Sequence, residues 1–171
     1  MKLYGSKIPY IARDIIRTLT SNEQIEVSNR EEAELDIQSV LKEYLRRDRE
    51  TTEEAKDLIE KRGLPHGQFA KIKRLVADRK EHALGDDGVV WMATQILETF
   101  MQSRHIDEIF AEDGDLRRAM IEIINRHTAI EDELDEEVRK RIRNLQEGGS
   151  QWDAEYGRVM EQIKRKRGLS D

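Results

Sequence analysis

The chain has 171 residues, enough for one domain or two small lobes around a buried core. Charged residues make up 39%, with 36 acidic and 30 basic side chains giving −6, and there is no cysteine. That excludes disulfide and thiolate chemistry and argues against a general nucleic-acid binder, although a local basic face depends on distribution rather than on the sum. The two prolines and the helical spacing of apolar residues almost throughout read as all-α. Met1-Lys2-Leu3-Tyr4-Gly5-Ser6-Lys7 contains no apolar signal region. Cytoplasm is therefore the expected location, with no membrane association.

The first helix is expected from Ile8 to about Thr20, with Pro9 in its first turn and Ile8, Ile11, Ala12, Ile15, Ile16 and Leu19 facing inward. A polar turn at 21–24 follows. Ile25 and Val27 lead to Ser28, which stands in capping-box spacing to Glu31 and predicts a second helix with Ala33, Ile37, Val40, Leu41 and Tyr44 on its inner face. Thr51 and Glu54 repeat that spacing and predict a third helix, ended at Arg62 by Gly63-Leu64 in a Schellman-type stop.

Residues 65–114 read as a connector. It opens with a basic helix from about Phe69 to Leu84. Gly85-Asp86-Asp87-Gly88 then breaks the chain before its most apolar run, Val89 to Met101, with Val89, Ala93, Ile96, Leu97, Phe100 and Met101 on one stripe. That run is too short to span a bilayer, which needs roughly twenty apolar residues. A short helix carrying Ile106, Ile109 and Phe110 completes the connector. Beyond it, Asp115 is the expected N-cap of a helix with Leu116, Met120, Ile123 and Ile124 facing inward. Gly148-Gly149 forms a break, and a last helix carries Trp152, Tyr156, Val159 and Ile163.

Shifting the sequence by 105 aligns Ile11–Leu64 with Leu116–Leu169 without a gap. Identities include Ile16/Ile121, Ile25/Ile130, Glu26/Glu131, Ile37/Ile142, Asp48/Asp153 and the shared Arg-Gly-Leu stop at 62–64 and 167–169. Apolar positions coincide as well, at Ile15/Met120, Leu19/Ile124, Ala33/Val138 and Val40/Leu145. This predicts two related three-helix units, 1–64 and 115–171, joined by the connector 65–114 as two lobes on a shared stem.

Three stretches carry a resemblance. They are Lys2-Leu3-Tyr4-Gly5 with Ile8-Pro9-Tyr10-Ile11-Ala12, the run Val40-Leu41-Lys42-Glu43-Tyr44-Leu45-Arg46-Arg47, and Gly149-Ser150-Gln151-Trp152-Asp153 with Tyr156. With these the chain resembles, over nearly its whole length, a bacterial family catalogued only as a domain of unknown function, number five hundred and seven. Some similar proteins consist of one unit resembling the second copy. This chain departs from them in its last helix, where Gly157, Val159 and Met160 follow Tyr156 in place of a more aromatic run. The resemblance implies an all-helical soluble protein and assigns no activity.

The chemistry in the sequence is sparse. His66, His82, His105 and His127 include no pair at helical ligand spacing. His105 with Glu108, or Glu122 with His127, would need distant partners to hold a metal. Gly85-Asp86-Asp87-Gly88 fits no phosphate-binding glycine pattern or calcium loop, and no Glu-x-x-His occurs. No cofactor, metal or catalytic residue is expected. The remaining candidates are basic: Lys71, Lys73, Arg74, Arg79 and Lys80 on the connector helix, and 164–167 at the last helix end, where cations suit the dipole. The expectation is a non-enzymatic interaction or adaptor protein that binds a protein partner or itself. The alternative is an RNA- or DNA-associated factor using the connector helix.

Overall fold

A computed structural model describes residues 1–169; Ser170 and Asp171, the end of the expected second repeat, lie outside the described residues. The fold is mostly helical: α1 (Ile8–Ser21), α2 (Arg30–Arg62), α3 (Phe69–Arg79), α4 (Gly85–Gln102), α5 (Asp113–Arg141) and α6 (Ser150–Lys166). It is not purely so, because β1 (Ile25–Val27) and β2 (Ile106–Ile109) pair antiparallel. None of the described helices is long and apolar enough to cross a membrane.

The chain divides into two compact units. The first holds Leu3–Arg47 and Ala83–Ala129, with Met1; the second holds Asp48–His82 and the chain from Ile130, with Lys2. In the first, the α1 stripe Ile8, Ile11, Ala12, Ile15, Ile16 and Leu19 is buried as its period predicts. It packs in one core with Ala33, Ile37, Leu41 and Tyr44 of α2, with α4, and with Leu116, Met120, Ile123 and Ile124 of α5. In the second, Ala55 and Ile59 cluster with Phe69 and Val76, and Leu134, Val138, Ile142, Val159, Met160 and Ile163 are buried.

Several expected elements are corrected. The predicted second and third helices are one, α2, running 33 residues. Thr51, expected as a cap, is completely buried inside it. The stripe 33-37-41-44-48-51-55-59 keeps helical period, and no glycine or proline interrupts it. The second repeat likewise shows no turn at 126–129, because α5 runs straight through it, with Thr128 and Glu131 buried on its stripe. Ser28 is not the cap of α2. The side chain of Asn29 accepts from Glu32 N at 3.2 Å, while Ser28 bonds His105 O. Asp115 does not cap α5, which begins at Asp113.

The basic helix stops at Arg79. Gly85-Asp86-Asp87-Gly88 is the first turn of α4 rather than a break, its aspartates lying at the positive end of the helix dipole. Met92 is fully buried on α4 while Met101 is 56% exposed, so the stripe runs through Met92. The predicted short helix at 106–110 is β2: Ile106 and Ile109 take opposite ends of an extended segment whose β-branched residues suit a strand.

Four helices end in the same way. At the close of α1, α2, α3 and α6 one residue turns left-handed: Glu23, Gly63, Glu81 and Gly168, with φ of 56, 59, 52 and 66°. Its N–H bonds the carbonyl three residues back, and the next N–H reaches five back, as in Gln24 N to Leu19 O at 2.9 Å and Leu64 N to Ile59 O at 3.0 Å. This is the Schellman motif, where glycine is the conformationally easy choice. At α1 and α3 a glutamate holds the position.

Candidate functional site

The feature that stands apart from the rest of the surface is the small sheet of the first unit. Alternation along the strands puts Ile25 and Ile106 into the core and leaves Glu26 and Glu108 outside. The register sets Ile25 opposite Ile109 and Glu26 opposite Glu108, then slips so that Val27 faces Ile106. Asp107 is the extra residue of this bulge. Phe110 N and Ala111 N both donate to Gln24 O, at 2.9 and 3.3 Å, and Ser28 N donates to His105 O at 2.9 Å. These bonds close both ends of the pair.

The turn that ends α1 brings Glu23 beside this face. Thr20, Glu23, Ile25, Glu26 and Phe110 line a groove of about 440 Å³. Phe110 is 61% exposed, the most exposed large apolar side chain among the described residues. Between them, residues 20–28 and 106–115 hold seven carboxylates and no lysine, arginine or histidine. Of the seven, Asp115 pairs with Arg118 at 3.2 Å, and Asp113 lies with it in the first turn of α5, where the helix dipole favours it. Glu23, Glu26, Asp107 and Glu108 have no ion pair among the described residues.

The basic residues singled out from sequence sit in the second unit, on α3 or just after it. There the carboxylates of α2 meet three of them. Lys73 pairs with Asp48 at 3.3 Å, Arg79 with Glu54, and Lys80 with Glu54 at 3.3 Å and Glu50 at 3.7 Å. Lys71 and Arg74 are exposed and make no ion pair among the described residues. The five are thus neighbours along one helix, but most of their charge is spent inside the unit. His82, buried, shares Asp48 at 3.2 Å.

The segment at the start of α6 builds a closed clasp onto α5. Gly148 takes φ of +94°, and a Cβ there would lie 2.8 Å from Phe69 Cδ2, so both conformation and space call for glycine. Trp152 and Tyr156 stack at 4.9 Å. The Tyr156 hydroxyl donates to Asp135, and Arg139 Nε donates to the other Asp135 oxygen at 2.9 Å. The Arg139 guanidinium forks onto Glu147 at 2.8 and 3.0 Å and lies 5.2 Å from the Trp152 ring centre. Those bonds to Glu147, against the opposing effect of burial, raise the Arg139 pKa. A cleft of about 1010 Å³ opens alongside, bordered by Gly148, Trp152 and the ion pair Lys56–Asp153 at 2.9 Å. Donors and acceptors in the clasp satisfy one another, which suits a structural fastening.

His127 has a comparable role in the first unit. Its Nε2 lies 2.8 Å from Asp14, a carboxylate that Arg17 also holds at 2.6 Å and Arg126 at 3.4 Å. Burial pushes the Asp14 carboxyl up, but the bonds from Arg17 and His127 and the charge of Arg126 outweigh it and hold the pKa below its ordinary value.

Sequence reading missed the sheet groove because Ile106, Ile109 and Phe110 fit helical spacing as well as an extended segment. The available signal was the pair of short β-branched runs, Ile25-Glu26-Val27 and Ile106-Asp107-Glu108-Ile109, each next to a turn. Compared with known proteins, the chain matches over residues 1–169 a family model described as protein of unknown function, DUF507. No curated protein matches it.

Proposed function

The chain belongs to the DUF507 family, whose description assigns no activity, and for it we propose a non-enzymatic role as a cytoplasmic protein-interaction or adaptor protein. One observation carries this reading: Phe110, 61% exposed, stands beside a groove whose carboxylates have no ion pair among the described residues. Exposed aromatic side chains next to a polar rim are the usual anchors of protein contacts. The division into repeat segments 1–64 and 115–171 around the connector 65–114 is part of the same proposal. It is supported by the matching Gly63 and Gly168 stops and by burial of both members of Ile15/Met120, Leu19/Ile124 and Ile37/Ile142. Ile25 and Ile130 differ, one buried in β1 and the other 52% exposed on α5.

The test is capture from native lysate with tagged wild-type chain and with Phe110→Ser, each with and without nuclease. The expected result is a protein that survives nuclease on the wild type and is lost from Phe110→Ser. A partner retained equally by both overturns the assignment of the surface. Recovery of nucleic acid, lost on charge reversal of Lys71 and Arg74, would move the reading to the alternative, an RNA- or DNA-associated factor, which the exposure of those two side chains favours.

A further inference from the structure

We propose that the outer face of the β1–β2 pair binds an extended cationic segment of a separate partner protein. Its lysine or arginine side chains meet Glu23, Glu26 and Glu108, and one apolar side chain rests against Phe110. The inference depends on the interaction reading above and adds the partner's chemistry.

Three features of the groove converge on a positive ligand. Glu26 and Glu108 stand directly opposite in the register, and like charges so placed destabilise a strand pair. Elsewhere the chain neutralises such crowding itself, as α2 and α3 do through Asp48, Glu50 and Glu54; here Glu26 and Glu108 have no ion pair among the described residues, and the guanidinium of Arg30, at the groove's edge, donates to Thr20 Oγ1 at 2.8 Å rather than to them. Glu23 adds a third carboxylate from a left-handed position, φ 56°, where glycine would be easier. It also lies at the negative end of α1, where an acidic side chain is unfavourable. A cationic ligand relieves the repulsion between Glu26 and Glu108 and the unfavourable placing of Glu23 against the helix dipole.

Shape selects a peptide over a free ion. The groove has an exposed apolar wall at Phe110, with Glu23 and Glu26 at its rim. An extended segment presents side chains of one face about 6.6–6.8 Å apart, so a basic and an apolar residue two positions apart can reach the carboxylates and the Phe110 wall together. Nucleic acids and anionic surfaces are repelled by the same carboxylates.

The probe is a fluorescently labelled lysine–leucine peptide that repeats Lys-Ser-Leu-Ser, so that an extended chain carries lysine and leucine on one face, with a glutamate–leucine peptide repeating Glu-Ser-Leu-Ser as its opposite, titrated into the full chain and followed by anisotropy. The wild type is expected to bind the first and not the second, with affinity falling as salt rises. Phe110→Ser is expected to weaken binding by at least about tenfold. The pair Glu26→Lys and Glu108→Lys is expected to exchange the preference toward the glutamate–leucine peptide. The same change in net charge on α5, Glu133→Lys with Glu136→Lys, is expected to leave it. Circular dichroism checks each fold, and Glu26→Gln with Glu108→Gln serves if the reversal misfolds, again with at least about tenfold weakening.

Absence of binding to the wild type overturns the cationic segment. Equal weakening by the α5 reversal overturns the location. Salt-sensitive self-association abolished by Glu26→Lys with Glu108→Lys overturns the separate partner in favour of a second copy. If capture through Phe110 persists while the lysine–leucine peptide fails, the interaction reading stands and this inference alone is lost.

Discussion

Replacing Glu23 by glycine should make the first unit more stable and, at the same time, a poorer binder. Glu23 sits at φ 56° and closes α1 through Glu23 N to Thr20 O at 3.1 Å and Gln24 N to Leu19 O at 2.9 Å. A non-glycine residue in this region pays roughly 1–2 kcal/mol of steric strain. Glycine removes that strain but loses about 0.5–1 kcal/mol more conformational entropy on folding. The backbone gain is therefore about 0.8 kcal/mol, within a range of about 0–1.5 kcal/mol. Removing the carboxylate from the negative end of α1 adds about 0.3–1 kcal/mol. Glu23→Ala gains only this second part, so the difference between the two variants isolates the backbone.

Urea unfolding followed at Trp91, in a shared Trp152→Phe background, reads the first unit, which contains the former tryptophan. The order expected is Glu23→Gly above Glu23→Ala above wild type. Thermal midpoints should follow by about 2–4 °C per kcal/mol at this chain length. A glycine variant no more stable than the alanine variant refutes the backbone argument, and undiminished binding of the lysine–leucine peptide refutes the functional one. Gain in stability with loss in binding is what a residue kept for contact rather than for folding should show.

Gly88→Ala and Gly157→Ala should have opposite signs in urea unfolding, the first read at Trp91 in its own unit and the second at Trp152 in the other. A Cβ at Gly88 would overlap the Tyr44 hydroxyl and lie 2.8 Å from Cζ, disturbing the bond from that hydroxyl to Ala83 O, so a loss of about 1–3 kcal/mol is expected. A Cβ at Gly157, in the interior of α6, meets nothing within 4 Å, so a gain of about 0.5–1 kcal/mol is expected. Gly148→Ala should destabilise the second unit by about 2–4 kcal/mol, from left-handed strain plus overlap with the buried Phe69 ring, read at Trp152 fluorescence. Asp14 makes the first unit acid-sensitive. Because its folded pKa lies below the unfolded one, its contribution is complete above the ordinary carboxylate pKa of about 4 and fades as pH falls through the folded value. Asp14→Asn should flatten the acid limb of the urea midpoint against pH, and an unchanged limb would remove Asp14 as its source.

The errors in reading the sequence share a physical cause. α1 and the inner faces of α4 and α6 were legible because every buried position on their stripes, or nearly so, is apolar. α2 and α5 were cut short because their stripes turn polar where each helix leaves one unit for the other. Asp48 and Thr51 continue the stripe of α2, and Thr128 and Glu131 that of α5. A threonine followed three residues later by glutamate looks like a cap, yet in a chain so rich in glutamate the pattern arises inside helices too. The stops at Gly63 and Gly168 announced themselves, whereas the identical stops at Glu23 and Glu81 did not, since nothing in a glutamate signals a left-handed backbone. The groove beside Glu23 was hidden for that reason and because β2 can be read with either period.

How charge is disposed, rather than how much there is, separates the two functional readings. The basic helix drew attention as five cations within ten residues, but three of them face carboxylates of α2 at ion-pair distance. Phosphate would have to displace those partners before it could be bound, leaving two exposed cations for initial contact, and each phosphate contact contributes separately to a salt-dependent affinity. The sheet groove has the reverse character. Its carboxylates crowd one another across the strands, Glu23, Glu26 and Glu108 make no ion pair among the described residues while the nearby Arg30 bonds Thr20, and an aromatic ring stands exposed beside them. A surface whose charges are already matched gains little from a charged partner, because partner contacts replace interactions that existed before. A surface whose charges repel gains both the new attraction and relief of the old repulsion. On that physical ground the contact surface belongs to the acidic sheet, although the sequence made the basic helix the more conspicuous feature.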